Sequence, residues 1–219
     1  MALVRTFTLP HYEQYPVQIA LFKNLKNTSY IRSQLLEANP DFDYAFLDAE
    51  MILSPTHLLT ATFLSLHAIL TARQKTRTPH SELVFRLSPN NNIGESYKKF
   101  GLGPHTTNLI AVKYPLTSKQ ADSVAPNEHK VWDDDGSVTN QSVSEHLGRV
   151  VEGECVKIGE EGWELGAVCD VERVRKAYKV NGGGGKKGKK GAADGDDDKK
   201  DERKELESVI LGIMTLKGS

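Results

Sequence analysis

From Met51 to Ser81 the chain carries no aspartate and no glutamate, and the first part of that stretch reads as one apolar helix. Ser54-Pro55 opens it: serine caps a helix N-terminus, and proline is pre-set for the first helical position. Leu59, Phe63, Leu66 and Leu70 recur at helical spacing, and Leu58, Ala61 and Ile69 widen the apolar face. The pattern predicts a helix that ends in Ala72-Arg73-Gln74-Lys75-Thr76-Arg77-Thr78, where cations suit the helix dipole and Pro79 enforces a stop near Thr78. Glu82-Leu83-Val84-Phe85-Arg86-Leu87 alternates polar and apolar, which reads as a half-buried strand. Ser88-Pro89-Asn90-Asn91-Asn92 is turn chemistry. A short helix follows through Ile93, Tyr97 and Phe100, closed by Gly101.

On the N-terminal side, Leu3 to Leu9 and Val17 to Phe22 read as strands, with a loop between Pro10 and Pro16. Thr28 or Ser29 caps a helix through Ile31, Leu35 and Leu36 that ends at Asn39-Pro40. Tyr44 to Leu47 is a short apolar segment, strand or helix start, and Asn108 to Tyr114 reads as a core strand. Thr117 or Ser118 is placed to cap a short helix. From Pro126 the pattern weakens, and residues 133–149 read as an exposed, variable polar loop. Val150 to Ile158 and Trp163 to Leu165 add edge strands or a helical turn, and Asp170 caps a helix through Val174 and Tyr178. Residues 181–200 are glycine, lysine and aspartate with almost nothing to bury, so they are expected to be a disordered linker. A last helix runs from Glu202 to Leu216 on an apolar stripe of Leu206, Val209, Ile210, Ile213 and Met214.

The overall charge of -1 hides an uneven distribution. Between Met51 and Ala121, Arg73, Lys75, Arg77, Arg86, Lys98, Lys99, Lys113 and Lys119 face only Glu82 and Glu95, a local charge of +6, so the rest of the chain sums to -7. A basic middle in an otherwise acidic chain is the footprint of a polyanion partner, or else a solvated face whose charges never meet. Apolar residues make up 38% of the 219, lean enough that some of the length should be unstructured. Cys155 and Cys169 show neither CxxC spacing nor histidine partners and read as free thiols in a reducing compartment. Met1 to Thr6 lacks the apolar run of a signal peptide, and His57, Ser65 and His67 break the one membrane-span candidate, so a soluble, intracellular protein is expected.

The motifs of chemistry are thin. Gly183 to Lys190 imitates a phosphate loop, but Lys190 stands where serine or threonine should reach magnesium, and no strand precedes it. His57 and His67 have no acid or cysteine at ligand spacing, and no nucleophile elbow is present. The best candidate is the compact positive elbow of Arg73, Lys75, Arg77 and His80, because phosphate binding needs several donors close together. Lys98 and Lys99 extend it, and Asn90, Asn91 and Asn92 sit at a helix start that favours anions or simply caps itself.

At Thr76-Arg77-Thr78-Pro79-His80-Ser81-Glu82, Leu87-Ser88-Pro89-Asn90-Asn91-Asn92-Ile93 and Lys98-Lys99-Phe100-Gly101, the chain resembles the accessory subunit of the KEOPS (also EKC) complex, the CGI-121-like PRPK-binding protein family. Ile52 to Leu59, Thr107 to Val112 and Leu211 to Gly218 fit in the same order. The polar loop and the Gly/Lys/Asp linker look like insertions of the kind fungal members carry. The resemblance implies an α+β fold, with a largely antiparallel or mixed sheet covered by helices in a single domain of residues 1–180 and 201–219. It also implies no catalysis and no cofactor. Its implied partners are the atypical kinase/ATPase subunit, through it the threonylcarbamoyl transferase subunit, and the 3′ CCA end of tRNA. A link to telomeres and transcription, and residence in nucleus and cytoplasm without a membrane, come with the same resemblance. For that tRNA the candidate contacts are Arg73, Lys75, Arg77 and His80 of the elbow, Lys98 and Lys99 beside it, and Leu216 with Lys217, where the tail pairs an apolar contact with a charge. The rival expectation is an enzyme or small-molecule-binding domain with a composite pocket under the Asn90 turn.

Overall fold

Val17–Lys23 is apolar at nearly every position, and in the fold both of its faces are covered. The computed structural model describes residues 1–118, 131–180 and 197–217. Strands β1 (Val4–Phe7), β2 (Val17–Lys23), β3 (Ala45–Asp48), β4 (Leu109–Lys113) and β7 (Glu154–Val156) form one antiparallel sheet in the order β1-β2-β4-β3. β7 pairs with Leu21 to Lys23 and β1 with Val17 to Ala20, so both lie end to end along the same edge of β2. Strands β5 (Leu116–Thr117) and β6 (Asp133–Asp134) make a small separate ribbon.

Alternate side chains of each strand point to opposite faces. Val17, Ile19, Leu21, Leu47, Ile110 and Val112 face one core with helices α2 (Pro55–Leu70), α3 (Pro79–Leu87), α6 (Val171–Tyr178) and α7 (Asp197–Leu216). Ala20, Phe22, Phe46, Leu109 and Ala111 face a second core under α1 (Thr28–Leu36) and α5 (Asn140–Val150). α4 (Ile93–Phe100) drives Phe100 into the first core, and Gly101 bridges to Leu47. The class is α+β, as expected. No helix of the described residues is long and apolar enough to cross a membrane.

Several sequence expectations are corrected. Glu82–Leu87 is not a strand but the body of α3. Pro79 starts this helix rather than merely ending the one before: Thr78 accepts the Ser81 amide as N-cap, and Pro79 takes the first turn. The apparent alternation arose because Glu82 and Arg86 are buried with the apolar residues around them, their charges satisfied by each other at the i, i+4 spacing of a helix. Helix α2 correspondingly ends at Leu70, eight residues short of Thr78. Residues 133–149 are not one exposed loop. β6 occupies their start, and α5 is built on a capping box in which Thr139 and Ser142 satisfy each other's backbone amides, with Val143 and Leu147 buried beneath. Thr117 pairs in β5 instead of capping a helix, and α1 is entered through Asn27, while the Thr28 hydroxyl donates to Thr106 O.

Trp163–Gly166 is a 3₁₀ turn, and Asp170 caps α6 as expected. Residues 181–196 of the glycine-rich segment, with its phosphate-loop imitation, lie outside the described residues. Its last part, 197–200, belongs to α7, the backbone helix extending back from the half that packs.

Candidate nucleic-acid interface

The elbow is made by the way α2 ends. Ala72 takes a left-handed φ of 54°, its amide donates to Ile69 O, and Arg73 N donates to Ala68 O at 2.7 Å. This pair of bonds is a Schellman closure, with alanine where glycine is usual, and it turns the chain sharply out of the helix. Arg73, Lys75 and Arg77 then alternate outward along the connection to α3, all exposed, while Gln74 between them is buried. No carboxylate among the described residues pairs with any of the three cations.

The acid nearest the elbow in sequence is spent inside the fold. Glu82 is 0% exposed, and its Oε2 accepts Lys75 N at 2.8 Å, Thr76 N at 3.0 Å and Thr76 Oγ1 at 3.0 Å. Its Oε1 accepts Arg86 Nε at 2.8 Å. Arg86 Nη1 in turn donates to Lys217 O at 3.0 Å, joining the elbow to the end of the chain. Lys217 points inward: Nζ donates to Ser88 O at 2.7 Å and to Phe85 O, and lies 3.5 Å from the Phe85 ring centroid. Burial, reinforced by the Arg86 cation and opposed by Glu82, pushes the Lys217 ammonium down to about 7. Leu216 beside it is 76% exposed.

His80 is also turned inward, at 2% exposure. Its Nδ1 donates to Asp43 Oδ1 at 2.9 Å and its Nε2 accepts Tyr114 N at 3.2 Å, which pins the start of α3 to the ends of β3 and β4. Burial holds its pKa below the ordinary histidine value, with Asp43 pulling the other way. Tyr97 of α4 donates to Ser81 Oγ at 2.8 Å and so ties α4 to the same end of α3. Lys98 on that helix is exposed and paired with Glu95 at 2.8 Å, and Lys99 is half-buried. The structure therefore brings Arg73, Lys75 and Arg77 to one surface and attaches Lys217 beneath it through Glu82 and Arg86. His80 is placed among the anchoring groups.

The asparagine turn is committed to capping. Asn92 accepts Glu95 N at 3.0 Å, and Asn90 accepts Asn92 N at 3.0 Å. A pocket of about 380 Å³ opens elsewhere, between β1, Asn140 and Lys157-Ile158, and the turn does not line it. Among the described residues no three His, Cys, Asp or Glu side chains gather as a metal site.

A family model described as kinase binding protein CGI-121 matches residues 22–218, which takes in the elbow, the buried Glu82–Arg86 pair and the tail. The chain belongs to the CGI-121 family. It is 60% identical to an EKC/KEOPS complex subunit CGI121 of Phaeosphaeria nodorum, over 99% of this chain and all of that one. It is 37% identical to the same subunit of Aspergillus fumigatus, over 99% of this chain and 97% of that one. In Schizosaccharomyces pombe the likeness is 29% over 79% of this chain and 87% of that one. The resemblance read from the sequence is thus borne out at the level of the CGI-121 family, with fungal relatives. What sequence reasoning missed in this CGI-121 chain was the buried role of Glu82, read there as the start of a strand and as one of two acids in a basic segment. The one signal that could have found it was its i, i+4 partner Arg86.

Proposed function

We propose that this chain is a non-catalytic subunit of an EKC/KEOPS complex. It binds the complex's atypical kinase/ATPase subunit, reaches the threonylcarbamoyl transferase subunit through that kinase, and helps recruit tRNA by the single-stranded 3′ CCA end. Membership in a family described as kinase-binding, with relatives that are complex subunits, supports the kinase part. A part in telomere maintenance and transcription, with residence in nucleus and cytoplasm, belongs to the same reading.

The observation that carries the tRNA part is the elbow. Three exposed cations project from five residues of rigidly held backbone, and the acid closest to them is buried and turned to their main chain. Donors held this way meet successive phosphates without ordering a flexible loop first. Lys98 and Lys99 supply secondary contacts at the neighbouring helix end.

The test is a tRNA titration at several salt concentrations with the wild type and with Arg73→Glu/Lys75→Glu/Arg77→Glu. The substituted side chains are exposed, so the fold should stand. Binding should weaken similarly for different tRNAs, and the slope of log affinity against log salt should flatten by about 2, from roughly 0.7 per single-strand contact. Capture of the kinase subunit should be unchanged. Equal affinity and slope for the two proteins would remove the elbow from the tRNA site.

A further inference from the structure

We propose that Glu82 is the positioning residue of this tRNA site, a buried carboxylate that sets the elbow's backbone and locks it to the C-terminal tail; the inference rests on the tRNA reading above. Three features of the structure point to it. Glu82 is fully buried, yet all three hydrogen bonds that its Oε2 accepts come from the segment that carries the cations, two of them from the main chain of Lys75 and Thr76. Burying a carboxylate carries a desolvation cost, and here four hydrogen bonds offset it, three of them from the elbow. The second oxygen holds Arg86, whose guanidinium spans to Lys217 O, 131 residues along the chain. One ion pair therefore joins two segments that were separate candidates for contact with RNA.

The consequence is mechanical. Lys75 sits between Arg73 and Arg77, and fixing the amides of Lys75 and Thr76 fixes the direction in which the flanking cations leave the backbone. Without that acceptor the two amides turn to water, and the three cations become a flexible cluster that must be ordered on each encounter. Affinity then falls although no charge at the surface has changed. The tail is coupled in the same way: Lys217, held over Phe85 and under Arg86, keeps the exposed Leu216 at a fixed place relative to the elbow.

The test replaces the pair together, Glu82→Leu with Arg86→Met, so that neither charge of the pair is left buried without the other. Glu82→Gln serves as the second variant if the double one melts: Arg86 claims its one acceptor oxygen, which turns the NH2 toward the Lys75 and Thr76 amides, donor against donor. Three quantities are read: hydrogen exchange at the Lys75 and Thr76 amides, tRNA affinity with its salt slope, and capture of the kinase subunit. Exchange at the two amides should accelerate by at least about tenfold, and tRNA affinity should fall by about tenfold with kinase capture intact. Built onto the Arg73→Glu/Lys75→Glu/Arg77→Glu background, the pair replacement should cost less than about twofold more, because its effect passes through those cations. Unchanged exchange at Lys75 and Thr76 would overturn the proposal outright. Faster exchange with unchanged tRNA affinity would overturn it as well, provided the charge-reversed elbow does weaken binding. If the charge reversal itself leaves binding unaltered, the tRNA reading fails and takes this role of Glu82 with it.

Discussion

His57 sets an upper limit on how acidic a solution the fold tolerates. It is fully buried on α2, with both ring nitrogens engaged: Nδ1 accepts Leu53 N at 3.1 Å, and Nε2 donates to the Tyr178 hydroxyl at 2.9 Å, which itself donates to Leu87 O. The ring thus connects the segment before α2 to α6 and α3 in one tautomer. A proton added at Nδ1 would face the Leu53 N–H, donor against donor. Burial accordingly pushes the His57 pKa down to about 3. In the unfolded chain the ring titrates near 6.5, so the unfolded state binds more protons at every pH between these values, and stability rises with pH through that window. The contribution is complete above about 6.5 and is lost as pH falls toward 3, at roughly 1.4 kcal/mol per pH unit. At pH 5 the loss is about 2 kcal/mol, a large fraction of an ordinary domain's stability.

His57→Asn isolates this contribution, because an amide oxygen can stand in for Nδ1 and does not titrate. Urea unfolding at pH 7.5 and pH 5 would be followed for both proteins. The variant should be less stable at pH 7.5, by about 1–3 kcal/mol, for the lost bond to Tyr178 and the poorer packing. At pH 5 the gap between the proteins should shrink by about 2 kcal/mol. His80, also held low by burial, steepens both curves alike and cancels in the difference. A gap that stays constant within about 0.5 kcal/mol between the two pH values would show that the buried ring takes up a proton without penalty, and the reasoning would be wrong.

Two further outcomes test local features. Thr139→Ala removes one half of the α5 capping box and should cost about 1 kcal/mol, read as a lower midpoint in thermal unfolding. Gly166→Ala would set a Cβ 2.5 Å from Leu53 O and 2.9 Å from Ser54 Cα, both backbone, and should cost about 1–3 kcal/mol by the same measurement.

The fold was legible where signals were local. Ser54-Pro55 and Asp170 mark helix starts, Gly101 a helix end, and Val17 to Phe22 a strand, and each of these elements stands in the structure. Thr78-Pro79 is the same kind of signal as Ser54-Pro55, but after a run of cations it reads as a stop. The polar Glu82 and Arg86 then disguised a helix as an alternating strand. The second error has a long-range origin: apart from its partner Arg86, the surroundings of that ion pair include a tail that returns from residue 217. The exposed cations of the site were visible in the sequence for the opposite reason, since a charge at the surface needs no distant partner. The inward turn of His80 depends on Asp43 and Tyr114, equally remote in sequence, and was not visible.

The pairing of β2 with β4, Gln18 against Lys113, has a consequence for the chain while it is being made. A nascent chain can close β1 on β2 almost at once, but the central strand of the sheet is still unsynthesised when α2 leaves the ribosome. The α2 face of Leu58, Leu66 and Ile69 finds helix α3 soon after, yet Leu206, Ile210 and Met214, which complete the same core, arrive roughly 150 residues later. At ordinary translation rates that delay is on the order of ten seconds. For that interval a large apolar surface is held in a partly assembled state, where capture by chaperones competes with self-association. The stretch without a single acid thus waits most of the chain's length for the last part of its cover.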